Sequence, residues 1–214
     1  MISLFLDSSD KRIIISILKD LEIVKEIIED NDNNLSKRFL PLIDFALTDI
    51  DLTLQDINKI FIVTGPGSFT GVRIGVDIAK VMAYSLNIEI IPISELELLS
   101  TTDTKKDFVV SYIDARRGYV YAGMYDNNLN SILKDEHISL EKLNNKIRRH
   151  TSFDRVSYVS YYDNIEGTSF PKIDVTKIVK KHIEDKGINS HEIVPNYLKR
   201  TEAEENLIKN GKRC

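Results

Sequence analysis

The alternation of apolar and polar positions divides the chain into two series of elements with a similar order. In the first series, apolar-rich segments at 2–6, 12–18 and 21–28 predict three strands, joined by turns short enough for antiparallel hairpins. A stretch with apolar residues at helical spacing follows, and after it come a strand at 59–64, a long helix and a strand at 88–93. The predicted order of the first series is therefore β-β-β-α-β-α-β.

The second series begins near residue 107 and opens in the same order, β-β-β-α-β-α. Its predicted elements are strands at 108–113, 119–125, 129–137 and 155–161, a helix from residue 140, and a helix capped by Asp174 and stopped by Gly187. Three antiparallel strands followed by β-α units describe a ribonuclease-H-like half. The sequence thus predicts an α/β chain of two tandem halves, residues 1–102 and 103–214, in an actin/hexokinase-type (ASKHA) fold.

Composition narrows the class of protein without identifying a chemistry. With 214 residues and 42% apolar content, the chain can bury a sizeable core. The single cysteine, Cys214, excludes an internal disulfide and a cysteine-based zinc site. No leader-like segment and no apolar run of membrane-spanning length is present, so we expect a cytoplasmic protein. The net charge of −4 does not favour nucleic-acid binding.

One glycine-rich stretch, Gly65–Gly75, stands between the strand at 59–64 and the long helix that runs to about Leu86. Its glycines permit backbone geometry that other residues resist, and Ser68 is placed to cap the helix. A helix N-terminus of this kind suits an anion. The spacing matches neither the P-loop nor the dinucleotide fingerprint, so a plain tight turn that docks the helix stays an alternative.

Small side chains recur every four residues along the helix that follows, at Gly71, Gly75, Ala79 and Ala83. Glycine inside a helix costs about 1 kcal/mol relative to alanine, which makes sense where another backbone comes close. We therefore predict that this ridge packs on a second subunit; packing inside the chain's own core is the alternative. The predicted interface residues are Gly71, Val72, Arg73, Gly75, Asp77, Ala79, Lys80, Met82 and Ala83.

The duplicated order places two aspartates at equivalent positions, since Asp7 and Asp114 each end the first strand of a half. In nucleotide-binding members of this fold, those hairpins face each other across a cleft and hold phosphate. Each aspartate could hold a hydrated Mg²⁺ and Arg116 could face a phosphate, although both hairpins also read as simple polar turns. The candidate anion or nucleotide cleft comprises Asp7, Ser8, Ser9, Gly65, Gly67, Ser68, Asp114 and Arg116.

Other features argue against an active nucleotide site. Bulky Tyr161 and Tyr162 stand where such folds place small residues against the adenine. The four histidines are scattered, and neither a metal-ligand pattern nor a nucleophile–base pair can be identified. We therefore predict no catalytic residue and no metal site.

Several of these blocks resemble the signatures of the TsaB (YeaZ) family. The glycine stretch Gly65–Gly75 matches almost without a break, and Asp114–Tyr121 is similar to the family's second signature. Residues 52–57 and 195–200 are similar more loosely. Residues 35–41 fit the first helix, although Leu35 stands where the family commonly has histidine.

The resemblance implies a non-catalytic scaffold for the modification of tRNA. Such a subunit pairs with a larger paralogue, the TsaD transferase, and works with the ATPase TsaE. Its association with tRNA is indirect. Together they add threonylcarbamoyl to the adenosine beside the anticodon. Homodimers form through helices of the first half, and ATP or ADP with Mg²⁺ at the subunit junction is the cofactor to consider. The alternatives are an ATP-binding phosphotransferase or ATPase with its own cleft, and a metallopeptidase, which the absent ligands disfavour.

Overall fold

The computed structural model describes residues 1–32 and 34–199 and contains two five-stranded mixed sheets. The first sheet has the order β3-β2-β1-β4-β5, with β1 to β3 antiparallel and β4 and β5 parallel to β1. Its strands are β1 (Ile2–Asp7), β2 (Arg12–Lys19), β3 (Glu22–Asp30), β4 (Lys59–Val63) and β5 (Ile90–Ile93). All five strands were expected from the apolar pattern.

The second sheet repeats this plan in the order β10-β9-β6-β7-β8. Again the first three strands are antiparallel, and the later ones run parallel to the first. Its strands are β6 (Phe108–Asp114), β7 (Tyr119–Asp126), β8 (Ser131–Ser139), β9 (Val156–Val159) and β10 (Thr168–Ser169). The tandem ribonuclease-H-like architecture is confirmed, with the two-residue β10 as an unpredicted addition.

In the described residues, five α-helices accompany the sheets. They are α1 (Leu35–Thr48), α2 (Phe69–Leu86), α3 (Glu95–Leu99), α4 (Leu140–His150) and α5 (Val175–His182). Helix α1 begins earlier than its apolar spacing suggested, so Pro41 lies inside the helix. Helix α5 ends before the predicted stop at Gly187, and the short α3 was not predicted. None of the helices in the described part of the chain is long and apolar enough to cross a membrane.

Each face of the first sheet is covered by a different part of the chain. Helices α1 and α2 cover one face, burying Phe39, Ile43 and Val76 against the sheet. On the other face, Val175 and Ile178 of α5 pack in a cluster with sheet residues such as Phe5. Sequentially α5 belongs to the second half, but it completes the core of the first. The two sheets lie on either side of residue 102 in the sequence, whereas α5 packs against the first sheet.

Helix α3 joins the two halves. Its Leu96 and Leu99 are fully buried in a cluster with Val109, Ile113 and Val159 of the second sheet. Immediately before it, Ser94 caps the helix and its hydroxyl donates to Asp135 of β8. The halves therefore share packed surface at α3, which places the N-terminus of this helix at the cleft between them.

Candidate functional site

The glycine turn forms the strand-to-helix connection that the sequence predicts. Ser68 is the N-cap of α2, and its Oγ accepts from the Gly71 N–H at 3.3 Å. The Ser68 N–H in turn donates to the carbonyl of Ser9 at 2.6 Å. Gly65 has φ of +105°, in the region that favours glycine. These bonds fix the start of α2 to the hairpin between β1 and β2.

The remaining glycines allow this hairpin to lie directly on α2. A Cβ on Gly67 would overlap the Ser9 carbonyl, and one on Gly71 would overlap the Ser8 carbonyl. A Cβ on Gly75 would lie 2.5 Å from Ser8 Oγ, which donates to the Gly71 carbonyl at 2.9 Å. The close backbone approach inferred from the sequence is real, but both backbones belong to this chain.

The prediction that the small-residue ridge contacts a second subunit is therefore wrong. Six of the nine predicted interface residues are buried within the chain: Gly71, Val72, Gly75, Ala79, Met82 and Ala83. Ala79 and Ala83 belong to the cluster between α2 and the sheet. The ridge faces the core because the sheet and the β1–β2 hairpin leave no room for larger side chains there.

The other three predicted interface residues, Arg73, Asp77 and Lys80, lie toward the outer side of α2. That side also carries large apolar residues that the sequence reasoning did not assign to an interface. Across α1 and α2, the exposed fractions are 49% for Leu40, 53% for Phe45, 56% for Phe69, 66% for Val81 and 64% for Tyr84. We call these five residues the outer helical face. Their exposure could have been inferred by taking the side of each helix opposite its buried stripe.

At the start of α2, an aromatic and cationic group extends this face. The guanidinium of Arg73 lies 3.7 Å from the centre of the Phe69 ring, and its Nε donates to the Tyr197 hydroxyl at 2.7 Å. Tyr197 and Phe69 stack with ring centres 5.7 Å apart. Residues 195–199 are thereby held beside the outer helical face.

The two hairpins predicted to hold phosphate differ sharply. Asp7, Ser8 and Ser9 are almost completely buried, whereas Arg116 is exposed and Asp114 is partly buried. The opening between them is bridged by Tyr162, whose hydroxyl donates to Asp10 Oδ1 at 2.8 Å. Tyr162, one of the two bulky tyrosines noted in the sequence, thus contacts the hairpin across the cleft.

Three buried carboxyl groups, Asp7, Asp10 and Glu95, meet behind this bridge. Burial raises the pKa of Asp7 to about 6, although the Ser9 N–H donates to it at 2.8 Å. Burial also raises the pKa of Asp10 to about 6, although the hydrogen bond from Tyr162 acts to lower it. Burial raises the pKa of Glu95 well above its usual value, and the charges of Asp7 and Asp10 add to the rise. Glu95 was missed because the five-residue α3 is too short to show a period.

The carboxyl groups do not form a metal centre in the described part of the chain, where no cluster of histidine, cysteine or acidic residues could hold a metal ion. The start of α2 borders a cavity of about 290 Å³ lined by Ser68, Thr70 and Gly71. Asp10 and Asp32 line it as well. The carboxylates of Asp10 and Asp32 would repel an anion in this cavity, although the N-terminus of the helix would attract one.

Comparisons with known proteins find relatives in tRNA threonylcarbamoyladenosine biosynthesis. A family model described as TsaD, tRNA N6-adenosine threonylcarbamoyltransferase, matches residues 22–154. The Bacillus subtilis tRNA threonylcarbamoyladenosine biosynthesis protein TsaB is 33% identical over 99% of this chain and 100% of its own length. The Escherichia coli protein of the same name is 38% identical over 47% of this chain and 45% of its own.

Solved structures support the same fold. YeaZ from Pseudomonas aeruginosa superposes with a TM-score of 0.75, covering 92% of this chain and 100% of that one at 19% identity. A second structure from that organism, also with a TM-score of 0.75, is described as similar to the peptidase YeaZ. At this level of identity the likeness shows the fold alone.

Proposed function

Since the chain belongs to the TsaB (YeaZ) family of tRNA threonylcarbamoyladenosine biosynthesis proteins, we propose that it is a non-catalytic subunit of that pathway. In this proposal it pairs with a TsaD-like transferase and supports transfer of threonylcarbamoyl to the tRNA adenosine beside the anticodon. The observation that carries the pairing is the outer helical face, since α1 and α2 leave five large apolar side chains about half or more exposed and exposed apolar surface on a monomer marks interaction sites.

Two features support a scaffold rather than an enzyme. The hairpin that would approach phosphate in a nucleotide-binding relative of this fold is instead packed on α2 through Ser8 and Ser9. Asp7 is buried behind it and accepts from the Ser9 N–H, so its carboxylate is not presented to a ligand in the cleft. An ATPase would need that carboxylate to reach a metal-bound phosphate.

The remaining partners follow from the same proposal. A TsaE-like ATPase would join the pair, the outer helical face would also serve a homodimer, and tRNA would be bound mainly by the transferase. ATP or ADP with Mg²⁺ would sit at the junction with the transferase, where a second chain supplies what the closed cleft lacks.

The test replaces one residue of the outer helical face and measures binding to the TsaD-like partner by calorimetry. Val81→Asp places a charge on a 66% exposed position, so the fold should be retained while affinity falls by roughly 30-fold or more. The matched control is Phe153→Asp, at an exposed apolar position of the second half, which should bind like wild type.

Wild-type affinity of Val81→Asp would reject this face as the interface. Failure of the wild-type chains to form a complex would reject the pairing itself. Steady ATP turnover by the chain alone, lost in Asp7→Ala, would replace the scaffold with the phosphotransferase or ATPase alternative.

A further inference from the structure

The carboxyl cluster behind the cleft lacks the partners that buried charges need. Asp7 and Glu95 are 2% and 1% exposed, and Asp10 is 9% exposed. Glu95 Oε2 and Asp10 Oδ2 are buried without a hydrogen-bond partner among the described residues. Three ionised carboxylates in such a place would be strongly destabilising, because burial removes the hydration that each charge has in the unfolded chain.

The charged groups around the cluster do not neutralise it. The β1–β2 hairpin contributes Asp7, Asp10, Lys11 and Arg12. Lys11 attracts Asp10 from outside and lies 5.0 Å from the Tyr162 ring, and Arg12 pairs with Asp30 at 3.3 Å. Tyr161, Tyr162 and Asp114 face the cluster from the second half. The glycine turn, 65–68, carries no charged side chain.

Asp7 and Glu95 lie within hydrogen-bonding reach of each other. A carboxylic acid that donates to a neighbouring carboxylate satisfies both groups and leaves one charge where there would be two. We propose that Asp7 and Glu95 share one proton at neutral pH, and that this proton stabilises the junction between the two halves. Glu95 begins α3, which packs on the second sheet, and Asp7 ends β1, so loss of the proton would repel these two elements.

The direction of the pH dependence follows from the raised pKa values. Unfolded aspartate and glutamate titrate near pH 4. In the folded protein the pKa of Asp7 is about 6, and the pKa of Glu95 is raised well above its usual value by burial and by the charges of Asp7 and Asp10. The stability due to the shared proton is therefore fully present below about pH 4 and is lost as the pH rises through 6 and above.

The test compares melting temperatures of wild type and Glu95→Gln between pH 4 and pH 8. Glutamine can donate the same hydrogen bond without a titrating proton, so the two proteins should melt alike at pH 4. At pH 8 the variant should melt higher, by about 3–5 °C for each pKa unit by which Glu95 is raised.

Glu97→Gln is the matched control, two residues along the same helix. Burial would raise the pKa of Glu97, but hydrogen bonds from His182 and Lys181 outweigh it and the pKa is lowered. This variant should therefore melt lower than wild type at pH 8, in the opposite direction to Glu95→Gln. A carbon-13 titration of the glutamate carboxyl groups in the wild type gives a second measurement that needs no variant, and one glutamate should titrate at a pH well above the others.

Equal shifts of Glu95→Gln at pH 4 and pH 8, or no glutamate titrating well above the others, would overturn the proposal. It would also be overturned if Mg²⁺ or Ca²⁺ alone raised the wild-type melting temperature at pH 8 but not that of Glu95→Gln, because a cation would then occupy the place assigned to the proton.

Discussion

The hairpins that follow β1 and β6 stand at equivalent positions in the two sheets and have opposite environments. The first, around Ser8 and Ser9, is fully buried against the glycines of α2. The second, around Arg116 and Gly118, is exposed, and a Cβ on Gly118 would meet nothing within 4 Å. Duplication of the fold has preserved the backbone plan while only one hairpin has been taken into the core.

The two hairpins also differ in how their conformations are maintained. The buried one is fixed by tertiary hydrogen bonds, including those of Ser8 Oγ and the Ser9 carbonyl to α2. The exposed one contains Arg116 and Arg117 at φ values of +65° and +55°, which cost energy for residues with a Cβ. A buried hairpin is thus stabilised by its contacts, whereas the exposed one retains local strain.

The largest expected effect comes from comparing a glycine-to-alanine substitution beside each hairpin. Gly71→Ala should lower the free energy of unfolding by about 3 kcal/mol, since its Cβ overlaps the Ser8 carbonyl and overpacking is costly. Gly118→Ala should cost only about 1 kcal/mol, from its φ of +75° in open space. Urea unfolding of both variants measures the difference, and equal losses would refute the role of close packing.

Removing the bridge across the cleft should have an intermediate effect. Tyr162→Phe deletes the hydroxyl that donates to Asp10 Oδ1 and leaves that buried carboxyl group with fewer partners. We expect a loss of about 1–2 kcal/mol in the free energy of unfolding at pH 7. Tyr119→Phe, at a 44% exposed position beside the second hairpin, should change it by less than about 0.5 kcal/mol. A loss in Tyr162→Phe no larger than in this control would mean that the bridge does not stabilise the junction.

The smallest effect should come from relieving the backbone strain of the exposed hairpin. Arg117→Gly places a residue suited to positive φ where no packing is lost, so stability should rise by about 0.5 kcal/mol. Thermal unfolding measures this change. The control is Arg12→Gly, which removes an ion pair with Asp30 from a regular strand and should lower stability. A destabilised Arg117→Gly would show that the arginine side chain contributes contacts that outweigh its strain.

Much of the fold follows from local pattern. Apolar-rich runs located the long strands, and Gly65, Gly67 and Ser68 marked the turn and cap of α2. Bulk at Tyr161 and Tyr162 indicated a filled cleft, and Tyr162 indeed bridges it. These features were predictable because they depend on conformational preference and side-chain size, which each residue carries with it.

What the small residues of α2 touch was decided only by the tertiary structure. A ridge such as Gly71 and Gly75 signals close approach, but the same pattern serves a neighbouring chain or the protein's own hairpin. The carboxyl group of Glu95 likewise becomes buried only because α3 brings together β1 and the second sheet. The packing of α5 on the first sheet was also decided by the tertiary structure. The sequence of an amphipathic helix specifies which face is buried but not which sheet covers that face. The sequence pattern determines which surfaces must be buried, and long-range packing determines which part of the protein covers each of them.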